Sequence, residues 1–134
     1  MLAKGTFKVA DFKRANLALP ASVTTALPVG VSTMEKTYAG DIVGRSTTIF
    51  TAAFDPATGV GSYVAMESFE GRIGGQSGTF NFLHSASTKG SDRSNEFFAI
   101  AEGSGTGDFK GIRGSGGISV DAEAHRIWFD YEIG

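Results

Sequence analysis

Short stretches in which apolar and polar residues alternate follow one another along the whole chain, separated by Gly, Asp-Pro or Ser-rich breaks. A period of two over four to eight residues marks half-buried strands, and no stretch sustains the 3.6-residue period of an amphipathic helix. The pattern predicts strands at 5–12, 31–38, 45–54, 61–73, 78–85, 95–102, 107–113, 118–120 and 126–133. Asp55-Pro-Ala-Thr-Gly59 reads as a turn, with Pro presetting φ and Gly relieving strain. Gly74-Gly75 is a two-residue hairpin signal, and residues 121–125 form the last hairpin loop. Residues 14–30 break the pattern. Ala15-Asn-Leu-Ala-Leu19 has room for one helical turn, but Pro20 and Pro28 fence it. The segment reads as a long loop that crosses the fold or covers one of its mouths, or as a plain connector.

Many short strands at even spacing indicate an all-β domain, either a sandwich or a closed antiparallel barrel. The strand at 61–73 puts Tyr63, Ala65, Glu67, Phe69, Gly71 and Ile73 on one side, and this aromatic side is expected inward. Phe80, Phe82 and His84 share a face of the next strand. Ile127, Phe129, Tyr131 and Ile133 share one in the last strand. Ser46, Thr48, Phe50, Ala52 and Phe54 form the cleaner inner set of the third. An aromatic interior with a few polar groups suits a small ligand pocket and, equally, a filled small barrel.

The 134 residues make one domain, 1–134, long enough to bury a core without staples. Glycine is enriched, at 19 residues, about twice average usage. Much of it lies in Gly103-Ser-Gly-Thr-Gly-Asp-Phe-Lys-Gly-Ile-Arg-Gly-Ser-Gly-Gly117. A dinucleotide or phosphate loop needs a helix opening after its glycines, and this glycine density forbids one. Two short strands kinked at glycines, in a tightly curved sheet, are the better reading. Twelve basic and 14 acidic residues are mixed along the chain for a net charge of −2, so no basic stripe points to nucleic acid. The longest clean apolar run, Phe97-Phe-Ala-Ile-Ala101, is far too short to span a membrane. Lys4 and Lys8 flank no apolar leader region, and there is no cysteine, which makes the cytoplasm the default location. His84 and His125 are the only histidines, without metal-ligand spacing, and Asp41, Asp55 and Asp92 lack a calcium-loop pattern. No metal and no cofactor are expected.

Glu67 and His84 are the one pair that suggests chemistry. A hairpin about Gly74-Gly75 pairs residues whose numbers sum to roughly 149. Glu67 then faces position 82 and His84 faces Ala65, so carboxylate and imidazole lie diagonally within reach. A carboxylate holding one imidazole nitrogen leaves the other for proton transfer, and both would be catalytic candidates. A buried pair that only fixes strand register is the plainer alternative. Tyr63, Phe69, Phe80, Phe82, Tyr131 and Ser46 are candidates to line a ligand site. The tyrosine hydroxyls would orient a ligand's polar end or bond a carbonyl at the rim. Asp108, Lys110 and Arg113, with Phe109 between them, read as a charged rim rather than an anion site. Trp128 and Met66, predicted to face outward, are candidates for the interface of a homo-oligomer.

Tyr38-Ala-Gly-Asp-Ile-Val-Gly-Arg-Ser46, Glu67-Ser-Phe-Glu-Gly-Arg-Ile-Gly-Gly-Gln-Ser-Gly-Thr-Phe80, His84, the glycine segment and Phe129-Asp-Tyr131 occur in that order. With these motifs the chain resembles a small bacterial domain-of-unknown-function family of allene-oxide-cyclase-like barrels. The resemblance covers most of the chain from Tyr38 onward and is loose over 14–30. It implies a closed or nearly closed antiparallel barrel of about eight strands. It implies no activity: the catalytic residues of plant allene oxide cyclases and of the related dirigent proteins have no counterpart positions here. The expectation is a barrel that binds a small, largely apolar molecule. The alternatives are a cofactor-independent isomerase or cyclase using Glu67 and His84, and an interaction module with a filled core.

Overall fold

A computed structural model describes Met1–Gly134. Eight strands run in chain order: β1 (Leu2–Ala15), β2 (Val29–Gly40), β3 (Ile42–Asp55), β4 (Val60–Ile73), β5 (Gln76–Lys89), β6 (Asp92–Ile100), β7 (Ile112–Val120) and β8 (His125–Ile133). Each pairs antiparallel with the next, and β8 returns to β1, closing the sheet into a barrel. Alternation drives the inside–outside assignment. Ala65, Glu67, Phe69 and Ile73 of β4 point in, as do Phe80, Phe82 and His84 of β5 and Ile127, Phe129 and Tyr131 of β8. The β4–β5 hairpin turns at Gly74-Gly75 and sets Glu67 opposite Phe82 and His84 opposite Ala65. In β3 the inward set stops short: Ser46 and Thr48 are buried, but Phe54 is exposed beyond the end of the closed barrel.

The glycine segment departs from expectation. It does not make two strands. Residues 107–109 form one 3-10 turn, and a single continuous strand, β7, follows. Residues 101–109 instead run beside β5. Ala101 N–H donates to the Asn81 carbonyl, Thr106 N–H to the Thr79 carbonyl, and the Asp108 carboxylate accepts from Ser77 N–H at 3.0 Å. This lays Phe109, fully buried, across the bottom of the barrel against Phe80. Gly105 makes the fit possible, since a Cβ there would stand 1.8 Å from the Phe109 carbonyl oxygen. Asp108 is thus a backbone cap, and Arg113 pairs with Glu132 on the surface.

Phe109, Phe80, Phe69, Phe82, Phe129, Ile42, Ile73, Ile112 and Tyr131 fill the lower barrel. Phe80 contacts four other phenylalanine rings at centroid distances of 5.1–6.3 Å. The loop between β1 and β2 spans residues 16–28. It exposes Leu17, Leu19 and Val23, so none of these three is buried against the barrel. No helix is long and apolar enough to cross a membrane.

Candidate functional site

Above the aromatic floor the interior turns polar. Met34, Lys36 and Tyr38 are successive inward residues of β2; Ser46 and Thr48 come from β3, Glu67 from β4 and His84 from β5. Glu67 has no solvent exposure and Lys36 only 5%. Glu67 Oε1 accepts from Ser46 Oγ at 2.8 Å and Tyr38 OH at 3.0 Å. Oε2 accepts from Lys36 Nζ at 2.7 Å and lies 2.5 Å from His84 Nε2. Lys36 also sits over the Phe7 ring, 4.6 Å from its centroid. A buried carboxylate survives ionised only with such company.

Burial by itself would raise the Glu67 pKa. The His84 hydrogen bond and the Lys36 charge outweigh it and lower the value from an ordinary 4.5 to about 2. Burial, and next the Glu67 charge, push the Tyr38 hydroxyl upward, so it stays protonated and donates. A carboxyl pKa lowered by folding stabilises the fold above its unfolded value, and that stability drains away as pH falls through the folded value. Between about pH 4.5 and 2, stability is therefore expected to fall, as urea titrations across that window would show; Glu67→Gln should flatten the slope there. A slope unchanged by the substitution would mean that other carboxylates carry the acid sensitivity.

The polar layer opens to the surface through His84. β6 and β7 pair only through Ala99–Ser115 and Ile100–Gly114. Above that point, residues 92–98 of β6 and 116–120 of β7 share no register, and the wall opens into a cleft. Its volume is about 440 Å³, and Tyr63, His84, Arg93, Phe97, Phe98 and Ile118 are among its lining residues. Two aromatic rings flank the gap where β7 carries glycine at 116 and 117. A Cβ on Gly116 would meet the Phe98 ring at 2.7 Å, and one on Gly117 the Trp128 indole at 2.6 Å. His84 is stacked on Phe98 at 5.9 Å and meets Tyr63 edge-on at 5.5 Å. His84 Nδ1 lies 3.2 Å from Tyr63 OH, which accepts from Arg93 Nη2 at 2.8 Å; Arg93 Nε in turn donates to Glu96 at 3.0 Å.

Glu67 and His84 thus meet directly, but only His84 borders the cleft. Of the residues expected to line a ligand site, Tyr63 does so. Phe69, Phe80, Phe82 and Tyr131 pack in the floor, and Ser46 is spent on Glu67; none of these five borders the cleft. Residues 16–28 contribute nothing to its lining either, so no lid closes over it. Met66 and Trp128 are both exposed, on β4 and β8, which stand four strands apart in the eight-strand ring. No group of three or more His, Asp or Glu side chains converges to hold a metal ion.

Sequence reasoning missed Lys36, Tyr38, Arg93 and Phe98. For the first two a signal existed: Met34-x-Lys36-x-Tyr38 alternates, which places a lysine in an otherwise inward set. For Arg93 and Phe98 there was none, because Asn95 sits at φ 53° amid a register shift between β5 and β6. Such an irregularity changes which residues of the strand face inward.

Comparison with known structures bears on the fold. A crystal structure of a protein with unknown function from the DUF3224 family of Shewanella oneidensis MR-1 superposes with a TM-score of 0.85 at 23% identity, covering 100% of this chain and 97% of that one. No curated protein matches the chain. The family model described as "Protein of unknown function (DUF3224)" matches residues 3–131, nearly the whole sequence. The chain belongs to the DUF3224 family.

Proposed function

We propose that the cleft between β6 and β7 binds a small, largely apolar molecule whose single oxygen function meets Tyr63 and Arg93. The supporting observation is that the buried polar layer reaches the surface there, through His84 and Tyr63, between walls of Phe97, Phe98, Ile118, Val120 and Trp128. Apolar walls with a few convergent polar groups are the usual make-up of a small-molecule site. An allene-oxide-cyclase-like kinship, suggested by the motifs, fits the same reading, since closed barrels of that kind hold ligands inside. Direct proton transfer by Glu67 on a ligand has weaker support, because Glu67 borders no part of the cleft.

Trp128 is the only tryptophan and lines the cleft, which makes its fluorescence a built-in reporter. Titration with 2-acetylnaphthalene, a flat apolar body carrying one carbonyl, is expected to change Trp128 emission saturably. Phe97 is 54% exposed, so Phe97→Ala leaves the core alone. Losing that contact should weaken binding about tenfold, the worth of roughly 1–2 kcal/mol of apolar burial. An emission that stays flat up to the solubility limit of the probe would remove the reading.

A further inference from the structure

From the cleft inward, the hydrogen bonds form one line: Arg93 to Tyr63, Tyr63 to His84, His84 to Glu67. The chemistry of the groups limits where the protons can sit. A guanidinium only donates, so Tyr63 oxygen accepts from Arg93 and its own proton is free to point at His84. An ionised carboxylate only accepts, so Glu67 requires the proton of His84 on Nε2. These partners are satisfied by an Nε2–H imidazole whose Nδ1 faces the Tyr63 hydroxyl at 3.2 Å, the tautomer the relay uses. This is the order hydroxyl, imidazole, carboxylate that activates nucleophiles and bases, with a phenol in the first place. Unlike a register-fixing ion pair, it ends at a cavity. His84 and Glu67 are both buried, whereas Tyr63 is half-buried and borders the cleft.

We propose that Tyr63 is the proton-transferring residue of this cleft, and that it acts on carbonyl compounds with a C–H bond beside the carbonyl. His84 is its base and Glu67 the positioning residue behind His84. The proposal rests on the cleft being a binding site. In the first step the Tyr63 proton passes to His84 Nδ1. The imidazolium so formed faces the Glu67 carboxylate, and the phenolate faces the Arg93 guanidinium, so each new charge has a partner of opposite sign. In the second step the phenolate takes the proton from the carbon beside the carbonyl. The C–H bond breaks, a Tyr63 O–H bond forms, and the electron pair moves onto the carbonyl oxygen as an enolate. Arg93 spends Nη2 on Tyr63 and Nε on Glu96, which leaves further guanidinium N–H groups for that oxygen. Exchange of the Tyr63 proton with solvent before a proton returns to the same carbon gives isotope exchange, and return to the far end of a conjugated enolate gives isomerisation. No oxidant, metal or co-reactant enters the balance.

The test uses the full chain and 2-acetylnaphthalene in D2O, following loss of the methyl proton signal by NMR while Trp128 fluorescence reports occupancy in parallel. At saturating probe, exchange is expected about 100-fold above buffer, the lower end of what a positioned acid or base supplies. Tyr63→Phe should return exchange at saturating probe to the buffer rate, while binding weakens by up to about tenfold through loss of one hydrogen bond to the ligand oxygen and stays saturable. His84→Asn should lower kcat at least tenfold, a conservative floor beneath the roughly 100-fold lower end for loss of a general base, and flatten its pD profile, which a purely structural histidine would not do. Three outcomes overturn the proposal. A wild type that binds the probe without exchange above buffer removes the relay and leaves the cleft reading standing. A Tyr63→Phe variant with wild-type exchange removes Tyr63 from the chemistry. An absence of saturable binding removes the cleft reading and the relay together.

Discussion

Glu67→Gln is expected to cost about 3–5 kcal/mol of stability, because it leaves the Lys36 ammonium buried without a counter-charge. The geometry makes the penalty hard to escape. Lys36 is 5% exposed, its side-chain hydrogen bond goes to Glu67, and its ammonium also sits over the apolar Phe7 ring. For a domain of this size the loss should appear as a fall in Tm of roughly 10–20 °C. The companion variant separates charge from shape. Lys36→Met in the Glu67→Gln background removes both charges, and stability should return most of the way, as buried pairs replaced by neutral groups often do. Thermal melts of the two variants beside the wild type decide it. A Glu67→Gln protein that melts within a few degrees of wild type would mean that the pair adds nothing to the fold.

Phe109→Ala carries the second large effect, about 3–5 kcal/mol, the usual cost of removing a fully buried phenylalanine. Its ring closes the bottom of the barrel and meets Phe80 edge-on at 5.2 Å. Truncation leaves a void beneath the residue on which the other floor rings converge. Gly105→Ala should be comparably destabilising by a different route, since the added methyl would collide with the Phe109 backbone and push the 3-10 turn off β5. Urea denaturation should show lower midpoints for both. A Phe109→Ala midpoint near that of wild type would mean that the floor closes up around the missing ring.

These two sites mark how far the sequence reaches. Alternation alone placed Glu67, His84 and Tyr63 on inward faces, and the double-glycine turn set the β4–β5 register, because strand period and hairpin geometry are local rules. Phe109 lies beyond such rules. Local pattern assigned residues 107–113 to a strand, whereas tertiary contacts with Ser77, Thr79 and Asn81 pull the chain into a 3-10 turn along β5. Phe54 failed for a related reason: its strand outruns the closed part of the barrel, so an inward-pointing residue there meets solvent. The cleft was equally hidden. It exists because β6 and β7 part after two paired positions, a property of how the ring closes rather than of either strand.

The wider arrangement gives those features a common sense. A packed lower barrel holds a buried, charge-balanced layer of Lys36, Glu67, Tyr38 and Ser46, and that layer orients His84. Gly116 and Gly117 keep the adjoining wall thin, so that Phe98 lies within and Trp128 without. The glycine-rich segment therefore serves both ends: Gly105 seats the plug, and Gly116 and Gly117 border the opening. Rigid support below and an opening beside the imidazole are what a preorganised site requires.

The proposal that this cleft is where a ligand binds is tested most directly by intermolecular NOEs between 2-acetylnaphthalene and the protein in solution. The expected result is a set of NOEs from the naphthyl protons to Phe97, Phe98, Ile118 and Val120, with the methyl group nearest Tyr63. NOEs confined to the exposed apolar side chains Phe12 of β1, Leu17 and Leu19 of the β1–β2 loop and Phe54 of β3, or none at all at saturating probe, would contradict it.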